Sequence, residues 1–117
     1  ARERIAKTYE ERIDWERYDK TIRKTHNISA NHLFVIRTKQ KVGKSNSGIF
    51  SELRTAGVGV QKHYIPIYQH PYFRKLSSTI INLTNCEEYY ANCISIPIYP
   101  TLTEKEQIYV IKTLNGF

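Results

Sequence analysis

The chain has 117 residues, 40% of them hydrophobic, with a formal net charge of +7, enough for one domain built around a single core. No apolar run approaches the roughly 18 residues of a membrane-crossing helix, and no charged-then-apolar leader is present, so a cytoplasmic protein without a membrane partner is expected. Residues 1–62 hold 14 Lys and Arg against 7 Asp and Glu, whereas residues 63–117 hold 4 of each sign. A one-sided basic half is either a solvated face with a basic loop or a surface for nucleic acid, anionic lipid or a nucleotide pyrophosphate.

Arg2 to Ile13 reads as an amphipathic helix, with Ile5, Tyr9 and Ile13 at i, i+4 and i+8. The sequence opens inside this helix without an initiator Met, so a longer parent protein is expected, and the stripe is expected to face a further domain of it. Residues 14–30 show no clean period and read as loop, with Trp15 and Tyr18 packing back. Asn31 to Thr38 contains the apolar run Leu33-Phe34-Val35-Ile36, of strand length and suited to a central position. Lys39 to Ser47 is basic and turn-rich and leads into a helix over Gly48 to Ala56, which Gly57 closes.

Val58 and Val60 alternate with Gly59 and Gln61, so Val58 to Lys62 reads as a short strand that Pro66 brings to an end. An aromatic loop, Gln69 to Phe73, follows. Thr84 to Glu87 reads as a capping box for a helix running to about Asn92. Ile94 to Tyr99 alternates as a strand, with Pro97 marking an edge or bulge. Thr103 to Glu106 is a second capping box, and the helix it opens should turn Ile108, Ile111 and Leu114 inward. The expected fold is α+β: a three-stranded, mostly antiparallel sheet with helices on one face.

Cys86 and Cys93 are expected two turns apart on one helix, about 10 Å along the rise, which suits free thiols better than a disulfide. The sequons Asn27-Ile28-Ser29 and Asn82-Leu83-Thr84 are read as chance matches in the absence of a secretory signal. His26, His32, His63 and His70 show no metal-ligand spacing, and no metal site is expected. Val42-Gly43-Lys44-Ser45 lacks the first glycine of a phosphate loop and reads as a basic turn. Neither cysteine sits in a nucleophile signature.

His63, Tyr64, Tyr68, His70 and Tyr72 remain, a run of polar-tipped rings within ten residues. Such a run is either a patch buried by a partner or a wall of donors for an anionic, hydroxylated ligand. A stand-alone nucleic-acid module fits less well, because the lysines fall mainly before residue 63 and most tyrosines after it.

The stretch Gly57-Val58-Gly59-Val60-Gln61-Lys62-His63-Tyr64-Ile65-Pro66-Ile67-Tyr68 resembles the "AGIGtqvHYxPih" segment of the DegT/DnrJ family of sugar aminotransferases. Glu87 to Thr103 is similar to that family's "AEeyyeraiSLPlyPgLt", Asn31 to Ile36 to its "HLyvi" strand, and Arg2 to Glu11 to its linking helix. The blocks occur in family order and span nearly the whole chain.

The resemblance implies the C-terminal small domain of a fold-type-I, pyridoxal-phosphate-dependent enzyme, with residues 1–13 as linking helix and the large cofactor domain outside this sequence. It implies a homodimer that transfers an amino group, usually from glutamate, to a nucleotide-linked keto-sugar. Pro66-Ile67-Tyr68-Gln69 is similar to the variant in enzymes that aminate a UDP-linked 4-keto-6-deoxy-N-acetylhexosamine on the way to pseudaminic acid. His63, Tyr64 and Tyr68 are the expected substrate-orienting residues, with Lys62 a further candidate for the phosphates. No lysine stands in the family's Schiff-base context, so this chain alone is expected to be inactive. The sequence departs from the family pattern at Lys62, at Tyr68 and in the basic insert Lys39 to Ser47. The reading from another class is a non-catalytic basic module that binds nucleic acid or other polyanions.

Overall fold

Helix α1 (Arg2–Arg12) buries Ile5, Ala6 and Tyr9, and Ile13 follows them into the core just past its end. The computed structural model describes residues 1–21, 26–76 and 83–117; the sequon asparagine Asn82 lies outside them, as do residues 22–25 of the expected loop. The α1 stripe does not face a further domain, contrary to expectation. It packs on this chain's own sheet, where the Tyr9 ring meets Phe34 at 5.1 Å between centroids and its hydroxyl donates to the Pro97 carbonyl at 2.8 Å. A ring with both its apolar body and its O–H satisfied inside one domain has no need of a partner.

The sheet is antiparallel throughout, in the order β1 (Tyr18–Lys20), β2 (Phe34–Thr38), β3 (Cys93–Ile96). β2 is central, as its apolar run implies. β1 falls inside the stretch read as loop and is therefore a correction. Its three residues are too few to show a period, yet Tyr18 is fully buried and its hydroxyl donates 2.9 Å to the Leu114 carbonyl. Pairing sets Phe34 opposite Ile96 and Ile36 opposite Ile94, so these four share one face. They join side chains of α1, α2 and α5 in the core cluster. The alternate residues Val35, Arg37, Cys93 and Ser95 share the second face, where β2 meets α4.

Helix α2 (Asn46–Thr55) starts at Ser45, whose hydroxyl accepts from the Gly48 N–H at 3.1 Å. It ends in a Schellman pair: the Gly57 N–H reaches Arg54 and the Val58 N–H reaches Leu53, with Gly57 at φ +78°. That closure uses the first N–H of the expected strand Val58 to Lys62. Val58 and Val60 are buried, but only Gln61 pairs, as a single bridge to Ser95 on β3. The third strand of the sheet is thus β1, not Val58 to Lys62.

A short helix α3 (Pro71–Leu76) and helix α4 (Thr84–Asn92) follow. α4 begins one residue earlier than its sequence suggests: Leu83 is at the cap position without a side-chain cap bond, so the expected Thr84 box does not form. Cys93 lies past the helix, as the first residue of β3, and both cysteines are free thiols. β3 stops before Pro97. Helix α5 (Glu104–Asn115) does carry its capping box: Thr103 Oγ1 accepts from the Glu106 N–H at 3.2 Å, and the Thr103 N–H donates to Glu106 at 2.8 Å. Its inward face is Gln107, Val110, Ile111 and Leu114, while Ile108 is only half-buried. Gln107 takes the inner position because its amide donates to the Ile5 carbonyl at 2.7 Å, which satisfies a polar group inside the core.

Candidate functional site

The candidate residues sit on the chain that leaves the Gln61–Ser95 bridge. Two backbone bonds make that bridge, Ser95 N–H to Gln61 at 2.8 Å and Gln61 N–H to Ser95 at 3.2 Å. Lys62 comes next, and its ammonium donates to the carbonyls of Ala91 at 3.0 Å and Tyr90 at 3.4 Å. These belong to the last turn of α4, whose carbonyls lack helical partners and favour a cation. The ammonium also lies 5.5 Å from the centroid of the Tyr90 ring. Lys62 therefore clasps the limb to α4, and one of its three N–H groups is left for a ligand.

His63 is half-buried, with Nδ1 2.8 Å from the Ser95 hydroxyl. Its ring meets Tyr64 edge-on, 4.6 Å between centroids, across a cis peptide bond. Tyr64 itself is 68% exposed. The Tyr68 hydroxyl donates to Glu87 at 2.9 Å, tying the turn at Ile67–Gln69 to the first turns of α4. Desolvation first, and then the neighbouring Glu87 carboxylate, push the Tyr68 hydroxyl above its ordinary value, so it stays neutral and can donate. Burial likewise raises the Cys93 thiol despite Lys62 and nearby backbone N–H groups, which argues against a reactive thiolate.

His63 and Tyr64 thus come together, while Lys62 is directed to the end of α4 and Tyr68 to Glu87 on the same helix. His70 and Tyr72 lie further along the same exposed limb, where Tyr72 and Phe73 meet edge-on at 5.3 Å. Ser95 and Glu87, the anchors of His63 and Tyr68, are not among the candidate site residues of the sequence. The signal for Ser95 is a polar residue between Ile94 and Ile96 in a fully buried strand; Glu87, beside Glu88 on an exposed helix, reads as a helix-start residue and offers none.

Two clefts, of about 690 and 610 Å³, lie elsewhere, the first lined by Lys20, His26, Phe34 and Tyr89, the second by Gly57, Tyr99 and Tyr109. Lys62, His63, Tyr64 and Tyr68 line neither. Tyr64 is exposed and His63, Lys62 and Tyr68 are half-buried, so these side chains lie at or near the surface of the chain. Among the described residues no group of three or more His, Cys, Asp and Glu is placed to hold a metal. Several cations of the basic half have acidic neighbours: Lys44 lies 2.8 Å from Glu52, Arg17 2.9 Å from Asp14, and Lys39 3.4 Å from Asp19. That pairing favours a solvated surface over a focused polyanion site.

Residues 1–115 match the DegT/DnrJ/EryC1/StrS aminotransferase family. The chain belongs to this family. Among DegT/DnrJ relatives, the UDP-4-amino-4,6-dideoxy-N-acetyl-beta-L-altrosamine transaminase of Campylobacter jejuni is 32% identical over 114 residues, covering 97% of this chain and 30% of that protein. The structure of Helicobacter pylori PseC, an aminotransferase involved in the biosynthesis of pseudoaminic acid, superposes with a TM-score of 0.82 at 30% identity, over 99% of this chain and 32% of PseC. A putative sugar aminotransferase of Streptococcus pneumoniae, Spr1654, gives a TM-score of 0.85 at 25% identity, over 98% of this chain and 29% of its own. The chain thus spans about 30% of the length of the curated C. jejuni relative.

DegT/DnrJ aminotransferases are pyridoxal-phosphate-dependent, and Spr1654 is known in PLP and PMP forms. The described residues of this chain do not by themselves fit that cofactor. Lys62, the lysine next to His63 in the chain, is held on the carbonyls at the end of α4.

Proposed function

We propose that this chain is the C-terminal small domain of a pyridoxal-phosphate-dependent nucleotide-sugar aminotransferase, with residues 1–13 as linking helix and the large cofactor domain in the remainder of a longer parent. The parent, a cytoplasmic homodimer, transfers an amino group from glutamate to a UDP-linked 4-keto-6-deoxy-N-acetylhexosamine, leaving 2-oxoglutarate. The observation that carries this reading is the alignment of 97% of the chain with a transaminase named for a UDP-linked 4,6-dideoxy amino sugar. The exposed Tyr64 ring, packed edge-on against His63, supports it as a surface open to a ligand.

In the parent, the cofactor, held by the large domain, would supply the electron sink for exchanging amine and ketone. This chain's residues bind and orient the sugar nucleotide. A His63 N–H donates to a phosphate or sugar oxygen, the exposed Tyr64 hydroxyl donates beside it, and Tyr68, whose proton goes to Glu87, offers its oxygen to a sugar hydroxyl. The remaining Lys62 N–H adds a positive charge toward the pyrophosphate. Holding the keto-sugar in register this way lowers the entropic part of the barrier.

The test is amination by the purified parent, supplied with pyridoxal phosphate, glutamate and the UDP-linked 4-keto sugar, followed by mass spectrometry. The amine product is expected from the parent and none from the 117-residue chain alone. A parent that leaves the UDP-linked ketone untouched, or a lone chain that transaminates, overturns the proposal.

A further inference from the structure

Ser95 is tied to the candidate limb by both backbone and side chain. Its N–H and C=O bridge Gln61, and its hydroxyl meets His63 Nδ1 at 2.8 Å. It lies in β3 opposite Val35 and is only 5% exposed. A hydroxyl buried this far needs an acceptor for its own proton, because an unmade hydrogen bond there is costly. Among the described residues the contact of Ser95 Oγ is His63 Nδ1.

We infer that Ser95 is the positioning residue of the site: its hydroxyl donates to His63 Nδ1, fixes the ring against β3, and places the imidazole proton on Nε2 as the donor offered to the ligand.

The chemistry follows from the two nitrogens. In a neutral imidazole one nitrogen donates and the other accepts, and a hydrogen bond to one decides the role of the other. With Nδ1 accepting from Ser95, Nε2–H is the group left to meet an anionic or hydroxylated ligand. The reverse tautomer would strand the buried Ser95 proton and turn an acceptor lone pair toward a phosphate, a repulsive arrangement. The backbone bridge adds a second restraint. Gln61 is held two residues before the ring, so Ser95 fixes both where the limb leaves the sheet and how His63 is turned. A rotamer and tautomer chosen before the ligand arrives reduce the ordering cost of binding.

The role of the Nε2 proton rests on the function proposed above, but the tautomer itself does not, and the two are read separately. The full-length parent is labelled with ¹⁵N-histidine, and the ring nitrogens of His63, assigned with His63→Gln, are observed at neutral pH without ligand. Nε2 is expected to be protonated and Nδ1 unprotonated. Ser95→Ala should yield a mixture of tautomers and raise the sugar-nucleotide KM about 2- to 10-fold with kcat nearly unchanged, the loss of one neutral hydrogen bond. Ser95→Thr, which restores a hydroxyl, should recover both readouts.

A wild-type ring protonated on Nδ1 overturns the inference and needs no variant to fold. An unchanged tautomer in a folded Ser95→Ala overturns it as well. A correct tautomer together with an unaltered KM in His63→Ala keeps Ser95 as the residue that sets the ring and removes the substrate contact from the proposed function.

Discussion

Two regions of the molecule are held in different ways. In the body formed by α1, the sheet and α5, rings are fully buried and their polar tips reach carbonyls far away in sequence: Tyr9 to Pro97, Tyr18 to Leu114. Gln107 and Asn115 repeat the device, the first on Ile5, the second on the Asp14 N–H and the Arg12 carbonyl. In the limb from Gln61 to Leu76 several large side chains point outward, with Ile67 at 65%, Tyr72 at 68% and Leu76 at 67% exposure. The limb is attached instead by polar clasps, at Ser95, at the end of α4 and at Glu87. Burial stabilises the body, and its hydrogen bonds keep that burial from being costly. In the limb the hydrogen bonds set direction. Substitutions in the body should therefore appear as stability, and substitutions in the limb as ligand affinity.

The largest expected effect lies in the body. Tyr9→Ala removes a buried ring and orphans the Pro97 carbonyl, and should destabilise by about 3–5 kcal/mol in urea unfolding. A loss under about 1 kcal/mol would mean that α1 is not part of the core.

Alkaline pH should weaken the same region. Burial pushes the Tyr18 hydroxyl up to about 12, against an unfolded value near 10. Its contribution is therefore fully present below about pH 10 and is lost as pH rises toward 12, because the unfolded chain releases the proton first. Burial shifts Tyr9 in the same direction. Tyr18→Phe should flatten the decline of stability between pH 10 and 12 without abolishing it. A decline as steep as in the parent sequence would show that Tyr18 is not the titrating group.

Thr103→Ala should cost about 1 kcal/mol, the usual worth of a helix cap, measured by the same unfolding curves. A neutral result would imply that the α5 box is redundant with the packing of its inner face. Tyr72→Ser, in the limb, is expected to change stability by less than about 0.5 kcal/mol. It should reduce self-association in sedimentation, since it breaks an exposed apolar surface. Destabilisation on the scale of Tyr9→Ala would erase the distinction between the regions.

The body was the more legible region in sequence, except where its elements are short or its polar residues are inside. The strand at β2, the helix closed by Gly57 and the Thr103–Glu106 box all follow local rules that the fold obeys. β1 is illegible in sequence because three residues carry no period, and Gln107 because an amide reads as outward unless its distant carbonyl is known. Val58 to Lys62 shows alternation without a ladder: its first N–H closes α2, and only Gln61 meets β3. For α4, the apparent box at Thr84 falls one residue inside the helix. At the candidate site, the rings His63, Tyr64 and Tyr68 stand out as types in a row. Their anchors Ser95 and Glu87 become visible only when residues 32 and 19 positions away are brought alongside.

The most direct test of this account is steady-state kinetics of His63→Ala in the full-length parent with the UDP-linked 4-keto sugar varied. A hydrogen bond made equally in ground and transition states, worth about 1–3 kcal/mol, predicts a KM raised about 5- to 150-fold with kcat little changed and the fold intact. An unchanged KM in a properly folded variant would contradict the account and leave His63 as a packing residue on β3.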